Sequence, residues 1–86
     1  MRHATEADLD RVDDLLGRLR HVEGIVERNR GKFQRGSKAF LHFHEDGDDM
    51  YADVRLADDF VRRRVTSVAE QDALVAEIAA ALSPPR

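Results

Sequence analysis

Two runs of alternating apolar and polar residues, 39–44 and 50–55, flank Asp46-Gly47, and no other feature constrains the fold as strongly. Asp-Gly is a pairing that favours the type I′ turn of a tight hairpin. Alternation with a period of two is typical of strands that bury one face. The two runs are therefore predicted to form an antiparallel hairpin at the centre of a sheet.

The loop length decides which side chains share a face, because a slip of one residue exchanges the two faces. A two-residue loop at 46–47 and a four-residue loop at 45–48 give the same register. In this register His44 faces Asp49, Phe43 faces Met50, His42 faces Tyr51 and Leu41 faces Ala52. The predicted core face carries Ala39, Leu41, Phe43, Met50, Ala52 and Val54. The opposite face, which we call the outer face, is predicted to carry Phe40, His42, His44, Asp49, Tyr51 and Asp53.

An amphipathic helix is predicted on each side of the strands, because apolar residues recur at three- and four-residue spacing over 6–22 and 68–82. Thr5 is an N-cap for the first helix, and Ser67 with Glu70 forms a capping box at the start of the second. Each helix has one apolar stripe to bury and the sheet has one apolar face. Both helices are therefore expected on that face.

Short strands are predicted near 25–28, 32–35 and 60–66, although the segment 56–66 also allows a short helix. The predicted fold class is α+β: an N-terminal helix, an antiparallel sheet of about four to five strands, and a C-terminal helix. Eighty-six residues suit a single domain over 1–86, with an ordered core expected from about residue 5 to residue 83.

The chain contains no cysteine, which excludes disulfides, cysteine-ligated metals and thiol catalysis. A secreted domain of this size usually carries disulfides, so their absence favours a reducing compartment. No apolar run reaches the length of a membrane span. We expect a cytoplasmic protein without a membrane partner. The preference for arginine over lysine is typical of a GC-rich bacterial genome.

His42-Phe43-His44 is the first candidate for chemistry, because residues two apart on a strand point to the same side. Asp49 is predicted beside them across the hairpin. Two imidazoles and a carboxylate are a common ligand set for zinc, iron or manganese. The alternative is a histidine–aspartate pair on a wet sheet face that binds nothing. The sequence thus allows a divalent metal at His42, His44 and Asp49, and it predicts no other cofactor.

A basic group is the second candidate, formed by the segment 28–38, which holds no acid, and by 62–64. Such a surface could neutralise the phosphates of a nucleic acid, and Phe33 and Phe40 could stack on its bases. A solvated charged rim is the alternative, and the net charge of −3 favours it. The candidate nucleic-acid-binding residues are Arg28, Arg30, Lys32, Arg35, Lys38, Arg62 and Arg64.

The outer face itself is the third candidate. Phe33, Phe40 and Tyr51 are predicted to lie there with no helix to cover them, and uncovered apolar faces often bind a partner. The favoured hypothesis is therefore a module that binds itself, as a homodimer, or another protein. His42 or His44 beside an aspartate could act as a general base. Otherwise the chain has no activated nucleophile, phosphate-binding glycine loop or dinucleotide fingerprint, so an enzyme is not predicted.

Gly36-x-Lys38-x-Phe40, after a helix and a short strand and before a charged hairpin, resembles the MmcQ/YjbR-like family. The resemblance spans residues 9 to 82 in element order and implies a helix–sheet–helix domain of a family that has been proposed to bind nucleic acid. This chain is shorter and lacks the aromatic residues that the family carries near its last strand and helix. The stretch from Phe40 to Asp46 resembles a small bacterial domain family labelled luciferase, a label that implies no light-producing chemistry here.

Overall fold

The computed structural model describes residues 1–83, which form six strands and three helices. The strands are β1 (Arg2–His3), β2 (Val26–Asn29), β3 (Lys32–Arg35), β4 (Lys38–Asp46), β5 (Asp49–Val54) and β6 (Val61–Arg64). The helices are α1 (Glu6–Asp10), α2 (Asp13–Leu19) and α3 (Val68–Leu82). The sheet order is β2-β3-β4-β5-β6, every neighbouring pair is antiparallel, and β1 also pairs with β4. The predicted α+β class is confirmed, and 60–66 contains a strand.

Strand β4 organises the sheet, because one of its edges is shared between two partners. β3 pairs with the first half of β4, ending where Phe33 lies opposite Leu41. β1 pairs with the second half, where His3 lies opposite His44. The sequence did not predict β1, since two residues are too few to show alternation. This strand brings His3 onto the sheet and starts the ordered region before residue 5.

The central hairpin turns at Gly47-Asp48, one residue later than predicted. In the ladder between β4 and β5, Asp46 pairs with Asp49 and His44 pairs with Tyr51. The predicted pairing of His44 with Asp49 was therefore wrong. Gly47 has φ +61°, and within residues 1–83 only glycines adopt positive φ. A turn with positive φ at its first central residue alone is type II′, not type I′. The register moves by two residues, which keeps every side chain on its predicted face unless a bulge intervenes.

A β-bulge between β3 and β4 changes one of those faces. Phe33 pairs with Leu41 while Gln34 pairs with Ala39, so Phe40 is an extra residue on β4. A bulge interrupts the alternation of a strand. Phe40 and Leu41 are consequently both 1% exposed, whereas Ala39 is exposed. The predicted faces of Phe40 and Ala39 were therefore wrong.

The first predicted helix, over 6–22, is two short helices with a turn at Arg11 and Val12. The turn uses bonds between residues three apart, from the amide of Arg11 to the Asp8 carbonyl and from Val12 to Leu9. The guanidinium of Arg11 donates to the carbonyls of Gly47 and Asp48. The break between α1 and α2 thus fastens the helical layer to the turn of the central hairpin. Both predicted N-caps, Thr5 and Ser67, form complete capping boxes.

All three helices cover the same sheet face, as predicted. Their buried side chains join one cluster with the inward residues of the sheet. The fully buried side chains include Leu15, Leu16, Leu19, Phe33, Phe40, Leu41, Met50, Leu74 and Ile78. No helix within residues 1–83 is both long and apolar enough to cross a membrane. The outer face is left free of helices, and this is where the polar residues of the hairpin gather.

Leu41→Ala tests the packing of β4. Truncating a leucine at a fully buried site should cost about 2–5 kcal/mol of the free energy of unfolding, because it leaves a cavity. Val26→Ala is the matched control, since Val26 is 52% exposed on β2, and should cost less than about 1 kcal/mol. Urea unfolding followed by circular dichroism measures both. Equal losses in the two variants would contradict the inward orientation of Leu41.

Candidate metal centre

Three histidines meet on the outer face. His42 and His44 lie two residues apart on β4, and β1 brings His3 opposite His44. The ring centroids of His3 and His44 are 4.5 Å apart, and those of His42 and His44 are 5.1 Å apart. We call His3, His42 and His44 the histidine cluster.

The carboxylate of Asp53 lies between two of these rings. Its Oδ2 atom is 3.4 Å from Nε2 of His42 and 3.1 Å from Nε2 of His44. The potential ligand atoms of these three residues all lie within 4.8 Å of one another. The sequence named Asp49 as the carboxylate, and the shifted register explains the difference. Asp53 is the residue opposite His42, whereas Asp49 accepts a bond of 2.6 Å from Arg64.

Arg62 holds Asp53 in its ionised form. It lies opposite Asp53 in the ladder between β5 and β6, and its guanidinium donates at 2.7 Å to Oδ1 and at 2.9 Å to Oδ2. These bonds lower the pKa of Asp53 below its usual range, and the neighbouring His44 and His42 lower it further. The site therefore presents a fixed carboxylate anion to both imidazoles at neutral pH.

His42 is held in its neutral form. Partial burial lowers the pKa of His42 below its usual value, Asp53 opposes this, and the nearby His44 and His3 add to the lowering. The ring of Phe60 packs edge-on against His42 with 5.2 Å between centroids, and so contributes to the burial. Neutral imidazole is the form that binds metals. His42 is therefore ready to act as a ligand without first losing a proton at neutral pH.

Some of the cations that were predicted to bind nucleic acid form ion pairs with carboxylates, and the others do not. Three of its arginines contact carboxylates: Arg30 contacts Glu6, Asp10 and Asp13, Arg62 contacts Asp53, and Arg64 contacts Asp49 and Glu70. Within residues 1–83 the other four members form no ion pair: Arg28, Lys32, Arg35 and Lys38. Two of the cations predicted to bind phosphate, Arg62 and Arg64, instead hold acids of β5.

The predicted interface residues do not form an exposed face. Phe33 and Phe40 are each 1% exposed and belong to the core. Phe33 is inward because it lies opposite Leu41, and Phe40 is inward because of the bulge. Tyr51 alone remains on the outer face, half-buried opposite His44. The prediction that Phe33 and Phe40 are available to a partner was wrong.

Sequence reasoning missed His3, and it predicted Asp53 on the same face as His42 and His44 without naming it as a ligand. Asp53 could have been found, because a hairpin turn centred on 47–48 places it opposite His42. His3 offered no pattern, since the strand that carries it has only two residues. Its position depends on pairing with a distant segment rather than on local sequence.

Comparison of the chain with protein-family models, with curated proteins and with solved structures yields no match. The resemblances to the MmcQ/YjbR-like family and to the family labelled luciferase stay predictions.

Acidification should destabilise the fold through His42. The pKa of His42 is lowered in the folded protein, while an unfolded histidine titrates near about 6.5. The unfolded chain therefore binds more protons, and stability falls as the pH drops from about 6.5 through the folded pKa.

His42→Gln should flatten the fall in the free energy of unfolding between about pH 7.5 and pH 5.5. His21→Gln is the control, because His21 is exposed after α2, away from the cluster. Urea unfolding at each pH measures the slope. A slope that His42→Gln leaves unchanged would contradict the role of His42.

Proposed function

We propose that this protein binds a divalent transition metal, zinc in the first place, through His42, His44 and Asp53. The observation that carries the proposal is the convergence of both Nε2 atoms on one carboxylate oxygen. Two imidazoles and one carboxylate are a donor set that zinc takes in proteins. The absence of cysteine leaves nitrogen and oxygen as the ligand types available in this chain.

The spacing of the donors supports a tetrahedral site. Zinc lies about 2.0–2.2 Å from its nitrogen and oxygen ligands, so two ligands of a tetrahedron are about 3.3–3.5 Å apart. The distances from Oδ2 of Asp53 to the two Nε2 atoms are 3.4 Å and 3.1 Å. All three donor atoms lie within 4.8 Å of one another, so side-chain rotations that bring the donors together would place them around a zinc ion.

Arg62 and His3 support the ligands from outside. A ligating carboxylate usually accepts hydrogen bonds from neighbouring groups that orient it. Arg62 can keep its bond to Oδ1 while the metal takes the place of its bond to Oδ2. The ring of His3 packs against the ring of His44, with 4.5 Å between the centroids. Three protein ligands leave a fourth position of the tetrahedron open.

The two other hypotheses have less support. Self-association was motivated by Phe33, Phe40 and Tyr51 on the outer face, and the first two are buried in the core. Nucleic-acid binding was motivated by seven cations, of which Arg30, Arg62 and Arg64 are engaged by carboxylates. The metal hypothesis keeps three candidate ligands, because Asp53 takes the place of Asp49 and its Oδ2 atom lies 3.4 Å and 3.1 Å from the two imidazole nitrogens.

Zinc titration by calorimetry, with imidazole NMR on the same samples, tests the proposal. One zinc ion should bind per chain, with shifts at His42 and His44. Affinity should fall below about pH 6, because protons compete for the imidazoles. His44→Ala or Asp53→Asn should weaken binding by at least about tenfold, since each removes a direct ligand.

His21→Ala is the matched control, because it removes the one histidine that lies outside the cluster. It should bind zinc as the unchanged protein does. Equal losses in His21→Ala and His44→Ala, or imidazole signals that ignore millimolar zinc, would reject the proposal.

A further inference from the structure

A groove of about 290 Å³ adjoins the histidine cluster at the divided edge of β4. It lies where the edge of β4 passes from β3 to β1, between Lys32 at the start of β3 and His3 at the end of β1. His3 and His42 line the groove as well as belonging to the cluster. A ligand in this groove would therefore lie next to the candidate metal centre.

The groove is cationic on its polar side. Arg28 and Lys32 line it, and neither forms an ion pair within residues 1–83, unlike most arginines of this chain. No acidic residue is among the described residues that line the groove. Nε of Arg28 donates to the side-chain oxygen of Gln34 at 3.3 Å, which orients the guanidinium along the wall. Such a wall favours an anion.

We propose that the groove binds the phosphate group of a small phosphate monoester, held by Arg28 and Lys32, with one phosphate oxygen in the open position of the zinc site. This inference rests on the proposed metal centre. A phosphate monoester has three terminal oxygens, enough to contact an arginine, a lysine and a metal ion together. A phosphate monoester carries about −1.5 to −2 charges at neutral pH, whereas a carboxylate carries a single negative charge, so the monoester better matches two cations and a metal ion.

The size and the floor of the groove limit the rest of the ligand. Ligand sites span roughly 300–1,000 Å³, so a groove at the lower end accepts a small organic group and not a folded partner. Of the three apolar residues that line it, Ala39 alone is exposed, whereas Phe33 and Leu41 are each 1% exposed and offer a ligand almost no side-chain surface. An ester with a compact organic group therefore matches the groove.

Phenyl phosphate is a suitable probe, and its binding can be followed by calorimetry on zinc-loaded and zinc-free protein. Zinc at one equivalent should tighten the binding of phenyl phosphate, and phenyl phosphate should tighten the binding of zinc by the same factor. Lys32→Gln and Arg28→Gln should each weaken the binding of phenyl phosphate by about tenfold, because each removes a charged hydrogen-bond donor.

Lys38→Gln is the matched control, since Lys38 is the only other lysine of the chain and lies outside this groove. It should leave the affinity unchanged. Equal losses in Lys32→Gln and Lys38→Gln would overturn the proposal in favour of unspecific surface charge. A single-stranded oligonucleotide without terminal phosphates should not displace phenyl phosphate; full displacement would overturn the proposal in favour of a nucleic-acid backbone.

The zinc titration without phosphate separates the two proposals. Zinc that binds at the histidines while phenyl phosphate fails to bind at millimolar concentration would overturn the phosphate site and leave the metal centre standing. Phenyl phosphate that binds through Lys32 while zinc does not bind would overturn the metal centre, and with it the coordination of phosphate to zinc.

Discussion

The positive φ of Gly47 sets the register on which the outer face depends. With +61° at the first central position of the turn, β4 and β5 pair so that His42 lies opposite Asp53 and His44 opposite Tyr51. A side chain at this position would strain the backbone, because residues with a Cβ atom rarely adopt such an angle. Arg11 adds a second restraint by donating to the carbonyls of the turn. The turn at Gly47-Asp48 therefore determines which residues meet in the candidate metal centre, although the turn lies several residues away from it.

The ion pairs of β5 and β6 orient the site more than they stabilise the fold. Exposed ion pairs contribute little to stability, roughly 0–1 kcal/mol each. Arg62 is half-exposed, yet its two bonds fix the carboxylate of Asp53 and keep its pKa low. Arg62 was predicted to belong to a basic surface, but in the structure it orients Asp53 and lowers the pKa of that carboxyl group. Formal charge along a sequence does not reveal which cations are free.

Local patterns predicted the parts of the fold that local physics decides. The N-cap at Thr5 and the capping box at Ser67 were predicted from nearby residues, and α3 has the predicted bounds. The alternation around Gly47 predicted the central hairpin, and Leu41, Phe43 and Val54 are buried as expected. His42 and His44 were predicted to share a face, because side chains two residues apart on any β-strand point to the same side.

The remaining parts depend on contacts between distant segments. β1 exists because Arg2 and His3 pair with β4, more than 40 residues away, so no local pattern marks it. The bulge at Phe40 depends on how β3 meets β4, and it moved an aromatic residue from a predicted interface into the core. Asp53 replaced Asp49 because the turn type decides the register: the predicted type I′ turn has Asp46 and Gly47 as its central residues, whereas the observed type II′ turn has Gly47 and Asp48.

X-ray absorption at the zinc edge of the loaded protein tests the central claim most directly, because it reads the ligand atoms themselves. We expect a four-coordinate shell of nitrogen and oxygen at about 2.0–2.1 Å, with the outer-shell pattern of two imidazole rings. In His44→Ala one of these two rings should disappear from the spectrum. A six-coordinate shell of oxygen atoms without imidazole scattering would contradict the claim that His42, His44 and Asp53 hold a metal ion between them.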